Sequence, residues 1–132
     1  MDTPALQLSV VIVNWNTREL LRACLDSIRQ HTSGITYEII VVDNASTDSS
    51  PDMVREHFPE VRLIQNTQNL GFAAANNQAI RIAKGNAVLL LNSDTELIEN
   101  SLRILHDFLF SRDEIGAVGG RLIYPSGAPQ WS

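Results

Sequence analysis

Cysteine is nearly absent: Cys24 is the only one among 132 residues, so no internal disulfide can form and nothing in the chain asks for an oxidising compartment. The expected setting is cytoplasmic, including the inner face of the membrane. No apolar run approaches the roughly 20 residues of a membrane span. The opening Met1-Asp2-Thr3-Pro4 lacks the basic flank and long apolar stretch of a signal peptide. A surplus of positive charge is missing too, with 10 basic residues against 15 acidic and a net charge of -5. The basic residues are scattered, which excludes broad binding to nucleic acid or to an acidic membrane. Glycine and proline, at 7 and 5, are too few for collagen-like or low-complexity chains. What remains is one domain, residues 1–132, long enough to bury a core without staples.

Short β-branched runs alternate with longer amphipathic ones, the pattern of a parallel sheet covered by helices. Strands are predicted over residues 8–13, 37–42, 61–64 and 87–91. Between the first two, Leu20, Leu21, Cys24, Leu25 and Ile28 form the apolar stripe of a helix. Asn16 with Glu19 is expected to cap it and Gly34 to close it. Ser50 before Pro51 predicts the N-cap of a short helix ending near residues 57–59. An Ala-rich helix is expected over residues 72–83, closed by Gly85, and a fourth from Leu97 through Leu109. Gly116-Ala117-Val118-Gly119-Gly120 reads as a small-residue strand, and residues 121–132, including Trp131, as a tail without a period.

In open parallel sheets, ligands bind beyond the carboxyl ends of the strands. Three polar clusters punctuate those ends: Asn14-Trp15-Asn16-Thr17, residues 43–48, and Asn92-Ser93-Asp94-Thr95-Glu96. Turn and cap chemistry accounts for any one of them alone. Neither a G-x-G-x-x-G turn after the first strand nor a G-x-x-x-x-G-K-[ST] cradle is present. A bound nucleotide would therefore have its phosphates neutralised by a divalent cation on a strand-end carboxylate, and Asp94 stands in that place. Asp48, Asp52, Glu96 and Glu99 read as helix caps. His31, His57 and His106 lack the spacing of a zinc site, and Cys24 falls on the apolar face of the first helix.

Four motifs in order, Ser9-Val10-Val11-Ile12-Val13-Asn14-Trp15-Asn16, Val41-Val42-Asp43-Asn44-Ala45-Ser46-Thr47-Asp48, Asn69-Leu70-Gly71-Phe72-Ala73-Ala74-Ala75-Asn76-Asn77 and Leu89-Leu90-Leu91-Asn92-Ser93-Asp94-Thr95, closely resemble the start of family 2 glycosyltransferases. Among those, the chain looks most like bacterial rhamnosyltransferase-type members. The resemblance implies an α/β GT-A fold, a mostly parallel Rossmann-like sheet flanked by helices in three αβα layers. It implies a UDP-sugar or dTDP-sugar donor, Mg²⁺ or Mn²⁺ bridging the diphosphate, and a saccharide or lipid-linked acceptor in polysaccharide synthesis.

The resemblance assigns Asn14 and Trp15 to the nucleotide base pocket. It gives Asp43 to the N3–H of a uracil or thymine ring, and Asn76 to the segment that closes over the nucleoside. Asn92-Ser93-Asp94 falls on the family's Asp-x-Asp motif with Asn in the first place, leaving Asp94 as the direct metal ligand. The inverting reaction's base would lie in a second acidic motif beyond Ser132, so the 132 residues alone are expected to bind donor without turning it over. Two other classes stay open: a nucleotidyltransferase, which would want a Gly-rich first loop, and a non-enzymatic interaction domain. Self-association through an uncovered sheet edge or the Leu122-Ile123-Tyr124 tail is a further expectation.

Overall fold

Hydrophobic runs too short for helices form the strands, and the stripes between them form helices that lie back across the sheet. The computed structural model describes residues 5–130. It contains β1 (Leu8–Asn14), α1 (Arg18–His31), β2 (Tyr37–Asp43), α2 (Ser50–His57), β3 (Arg62–Gln65), α3 (Phe72–Ile82), β4 (Ala87–Asn92) and α4 (Ser101–Leu109). The three pairings of the sheet are parallel, in the order β3-β2-β1-β4. The chain works outward from β1 to β3 and then returns to the other side of β1. That reversal makes the carboxyl end of β1, next to β4, the topological switch point.

Side chains alternate between two cores. Val10, Ile12, Ile39 and Val41 face α1, α2 and α4, meeting Leu21, Leu25, Ile28, Val54, Phe58 and Leu102. Val11, Ile40 and Val42 face α3 through Ala75 and Ala79. Helices therefore cover both faces of the sheet, as a three-layer αβα fold requires. Burial of Leu21, Leu25 and Ile28 is worth about 5–9 kcal/mol before entropy. A missing cap costs about 1 kcal/mol, so α1 forms although no side chain of its own caps it.

The predicted starts and stops need several corrections. Asn16 does not cap α1, because it adopts a left-handed conformation (φ 52) and its Oδ1 accepts the Thr47 N–H at 2.8 Å. Gly34 lies beyond the C-cap Thr32 and shapes the turn into β2 with φ 73. Ser50 is the first residue of α2, and Ser49 occupies the cap position. α4 starts at Ser101, not near Leu97, whose N–H donates to Ser27 Oγ at 2.9 Å and holds it in an irregular buried segment. Residues 116–120 form no strand: three glycines and two small apolar residues offer too little to pack against a sheet. The tail carries an isolated bridge between Ile123 and Pro129; Trp131 lies outside the described residues. No helix among the described residues is long and apolar enough to cross a membrane.

Among the described residues β4 is an edge strand. Gln78 exchanges two hydrogen bonds with Asn66, and Ile82 C=O accepts one from Arg62 Nη1, which draws α3 toward β3. The face of β4 on that side is left open, with Val88 and Leu90 41% and 50% exposed. Gly85, at the entry to β4, sits so close to β1 that a Cβ there would come within 2.5 Å of Leu8 C and Ser9 N. Its N–H donates to Ser9 Oγ at 2.8 Å.

Candidate functional site

Asn14 and Asp43 are register partners at the ends of β1 and β2, and both are buried. Asn14 Nδ2 donates to Asp43 Oδ1 at 3.0 Å and to Ser46 Oγ at 3.3 Å. Ser46 completes the triangle, its hydroxyl donating to Asp43 Oδ1 at 2.7 Å and its N–H to Oδ2 at 2.9 Å. Three acceptor positions of the Asp43 carboxylate are thus filled by the protein, and one remains on Oδ2. Trp15 follows at the rim, 55% exposed.

Asn16 ties the loop after β1 to the loop after β2, its N–H donating to Ser46 Oγ at 2.9 Å. Among the described residues, the non-glycine positive-φ positions are Asn16, Ala45 and Ser49, all in these two loops. Strain of that kind collects at functional sites, where the surroundings over-determine the backbone. Asp48 braces the same corner, Oδ2 accepting the Arg18 N–H at 2.9 Å and Oδ1 the N–H and hydroxyl of Ser50. Burial pushes this carboxyl up, but the Ser50 hydroxyl and the Arg18 and Ser50 N–H groups outweigh it and hold it below its ordinary value. The cap expected of Asp48 is therefore present and serves two helices. Asp52 lies in the first turn of α2 and pairs with Arg55, whereas Glu96 and Glu99 precede α4 and cap nothing.

At the switch point, β4 ends on Asn92, opposite Val13. The Thr95 N–H donates to Asn92 C=O at 3.1 Å and closes a turn around Ser93 and Asp94. Asn92 and Asp94 are exposed. Asp94 makes no hydrogen bond or ion pair among the described residues, so its carboxylate is available. Ser93 Oγ lies 3.0 Å from Thr17 Oγ1, and Thr17 Oγ1 donates to Asn14 Oδ1 at 2.6 Å. The three predicted clusters are thereby joined into one hydrogen-bonded edge. Asn76 stands apart from it: in the second turn of α3 it is 5% exposed and makes no side-chain hydrogen bond among the described residues.

Several members of this edge have no role in the sequence reading. Asn44, 2% exposed, accepts from Asn66 Nδ2 at 3.0 Å and donates to Gly71 C=O at 3.2 Å, anchoring the loop that leads into α3. Thr17 and Ser46 fall within the predicted clusters, but their cross-loop partners, like those of Asn66, emerge only once the loops meet. Cys24 is buried as expected, and its thiol is pushed up to about 12 by burial and then by the charges of Asp94 and Glu96. It is inert at neutral pH.

No group of three His, Cys, Asp or Glu among the described residues can hold a metal. That suits a hard cation held by one carboxylate, with most of its shell coming from phosphate oxygens and water. It does not suit a resident metal. An open groove of about 530 Å³ lies between β4, α4 and residues 112–118, lined by Asn86, Val88, Leu105 and Phe110. It flanks the entry of β4, at the far end of the sheet from these turns.

Comparison with known proteins shows the family and the fold. The sequence profile of Glycosyl transferase family 2 matches residues 9–132. The poly(ribitol-phosphate) beta-glucosyltransferase of Bacillus spizizenii is 37% identical over 108 residues, 78% of this chain and 17% of that protein. A PGL/p-HBAD biosynthesis glycosyltransferase of Mycobacterium tuberculosis is 31% identical over 127 residues, 93% of this chain and 49% of that protein. Among solved structures, the mannosyltransferase PcManGT of Pyrobaculum calidifontis, in complex with GDP-Man and Mn²⁺, superimposes with a TM-score of 0.73 at 30% identity. The match covers 82% of this chain and 33% of that one. S. aureus TarS in complex with UDP-GlcNAc shares the fold, with a TM-score of 0.72 at 24% identity over 80% of this chain and 32% of that one. The chain thus spans less than half the length of each of these proteins, and within that span it belongs to glycosyl transferase family 2.

Proposed function

We propose that the chain is the donor-binding part of a metal-dependent, inverting glycosyltransferase that takes a UDP-sugar or dTDP-sugar. The observation that carries the choice of base is the single acceptor position left on Asp43 Oδ2. One position fits one N–H, as uracil and thymine offer at N3. Guanine presents an N–H and an amino group side by side and would want both carboxylate oxygens. Both oxygens are already engaged by Asn14 and Ser46. The carboxylate is nearly closed off, at 1% exposure, so a base has to part its cover to reach it.

At the other end of the crevice, Asp94 and a diphosphate would hold Mg²⁺ or Mn²⁺ between them, with Asn92 available to a ribose hydroxyl or a metal-bound water. When bound, such a cation neutralises the charge that develops on the departing diphosphate. Asp94 then belongs to the leaving-group side and does not serve as base. In this reading the base that activates the saccharide or lipid-linked acceptor lies outside residues 1–132, and these residues bind donor without turnover.

The test is a calorimetric titration of the chain with UDP, dTDP and GDP, with and without Mn²⁺. UDP or dTDP is expected to bind at least about tenfold more tightly with the metal, a difference of about 1.4 kcal/mol. Asp94→Ala should abolish that gain, and Asp43→Asn should weaken binding in either condition. Binding that ignores both Mn²⁺ and Asp94→Ala overturns the metal-bridged reading, and equal affinity for GDP overturns the choice of base.

A further inference from the structure

Thr17 occupies the N-cap position of α1, where a threonine hydroxyl ordinarily accepts an N–H from the first helical turn. Here it makes no such bond. The work passes to Asp48, which reaches across from the next loop to accept the Arg18 N–H. Thr17 is thereby released from its own helix, and its hydroxyl turns toward the crevice between Asn14 and Ser93. Helix stability alone gives no reason for this exchange.

The direction of each hydrogen bond follows from proton counting. Asn14 Nδ2 faces Asp43 Oδ1, an acceptor, so the amide cannot be flipped without setting oxygen against oxygen. Asn14 Oδ1 therefore faces Thr17 and accepts. The single proton of Thr17 is spent on that bond, so Ser93 must be the donor in the 3.0 Å Ser93–Thr17 contact. A one-way series results: Ser93 to Thr17, Thr17 to Asn14, Asn14 to Asp43. It starts in the turn that presents Asp94 and ends on the carboxylate assigned to the base. Series of this kind polarise one another, and breaking one member weakens the rest.

We propose that Thr17 is a positioning residue that fastens the Asp94 turn to Asp43, so that base binding at one end of the crevice and cation-bound diphosphate at the other reinforce each other. The inference rests on the donor-site reading above and adds that its two ends are coupled through this hydroxyl.

The experiment measures UDP affinity with and without Mn²⁺ for the 132-residue chain and for Thr17→Val and Thr17→Ser. The readout is the ratio of the two dissociation constants. Valine keeps the branched shape and removes both hydrogen bonds, whereas serine keeps the hydroxyl. Thr17→Val is expected to reduce the metal-dependent gain about fivefold, the value of one hydrogen bond, and to lower the melting temperature by several degrees, because the buried Asn14 Oδ1 loses its partner. Thr17→Ser is expected to restore it. Amide hydrogen exchange at residues 93–95, without ligand, should quicken in the valine variant only. An unchanged ratio in Thr17→Val, or equal loss in both variants, overturns the proposal. The unsubstituted chain reports separately on the donor site: no UDP binding, or no gain from Mn²⁺, overturns that reading and this inference with it. Should Thr17→Val fail to fold, Ser93→Ala breaks the same series from its other end and is held to the same ratio.

Discussion

Thr32 carries an uncompensated polar atom. Its Oγ1 is buried at the C-cap of α1 with no hydrogen-bond partner among the described residues, and leaving a hydroxyl in that state costs about 1–3 kcal/mol. The backbone there is extended, φ -101 and ψ 124, which suits a β-branched residue. Thr32→Val is therefore expected to stabilise the chain by about 1 kcal/mol and to raise its melting temperature by a few degrees. Thermal denaturation followed by circular dichroism checks this, and a lower melting temperature contradicts it. The same scale shows why the places of Asn14, Asp43 and Asp94 are legible in the sequence and the bonding of Asn44, Thr17 and Ser46 is not. The first three need only a position, at the end of an apolar run. The others matter through partners dozens of residues away, such as Thr17 with Ser93 and Asn44 with Gly71, and spacing along a chain does not name such partners.

Between elements, one carboxylate gathers bonds from several strands: Glu38 on β2. Its Oε1 accepts from Ser9 Oγ on β1 and from the Lys84 N–H in the turn before β4, each at 2.7 Å, and Oε2 accepts from Arg62 on β3 at 3.2 Å. One carboxylate on β2 thus holds β1, β3 and the turn that enters β4. Burial pushes it up, yet the Lys84 N–H, the Ser9 hydroxyl and the Arg62 guanidinium together hold it below its ordinary 4.5. A carboxyl depressed in the folded state contributes its stability above the unfolded value and loses it as pH falls through the folded value. Denaturant melts should accordingly show stability declining below about pH 4.5. Glu38→Gln should cost about 1–2 kcal/mol at neutral pH and flatten that decline. An unaltered acid limb in the variant would assign the acid sensitivity elsewhere, with Asp48 the next candidate.

Element order is well written in the sequence, because β-branched runs and helical stripes differ in period and alternate strictly. Element ends are not. Leu97 has the hydrophobicity of a helical residue but is held by Ser27 from another helix, and Asn16 has the composition of a cap but is taken by Thr47. In each case a tertiary hydrogen bond overrides a local preference.

At the scale of the whole molecule, β4 pairs among the described residues with β1 on one side only, and beside that open edge Val88 and Leu90 face outward. An apolar strand edge is a template for pairing with a second chain, opposed here by a modest net charge of -5. The chain is expected to self-associate reversibly with rising concentration, giving light-scattering masses above the monomer value. Leu90→Lys should hold it monomeric at the same concentrations without lowering its melting temperature, because the side chain is already half exposed. Monomer masses throughout the concentration range would contradict this.

The tight seat of Gly85 against Leu8 and Ser9 reaches further than the turn it occupies. Residues 87–91 of β4 are apolar without interruption, so hydrophobicity opposes a one-residue slip only weakly: Val88 and Leu90 would go inward where Leu89 and Leu91 had been. The glycine acts as a depth stop, since in a slipped strand a residue with a Cβ would have to enter the gap. A strand advances about 3.3 Å per residue, so each slipped residue would carry Asp94 that far along the crevice and turn it to the other face. The accuracy with which the chain delivers Asp94 to its working position is thus set at the opposite end of β4, about 20 Å away, by the absence of a single methyl group.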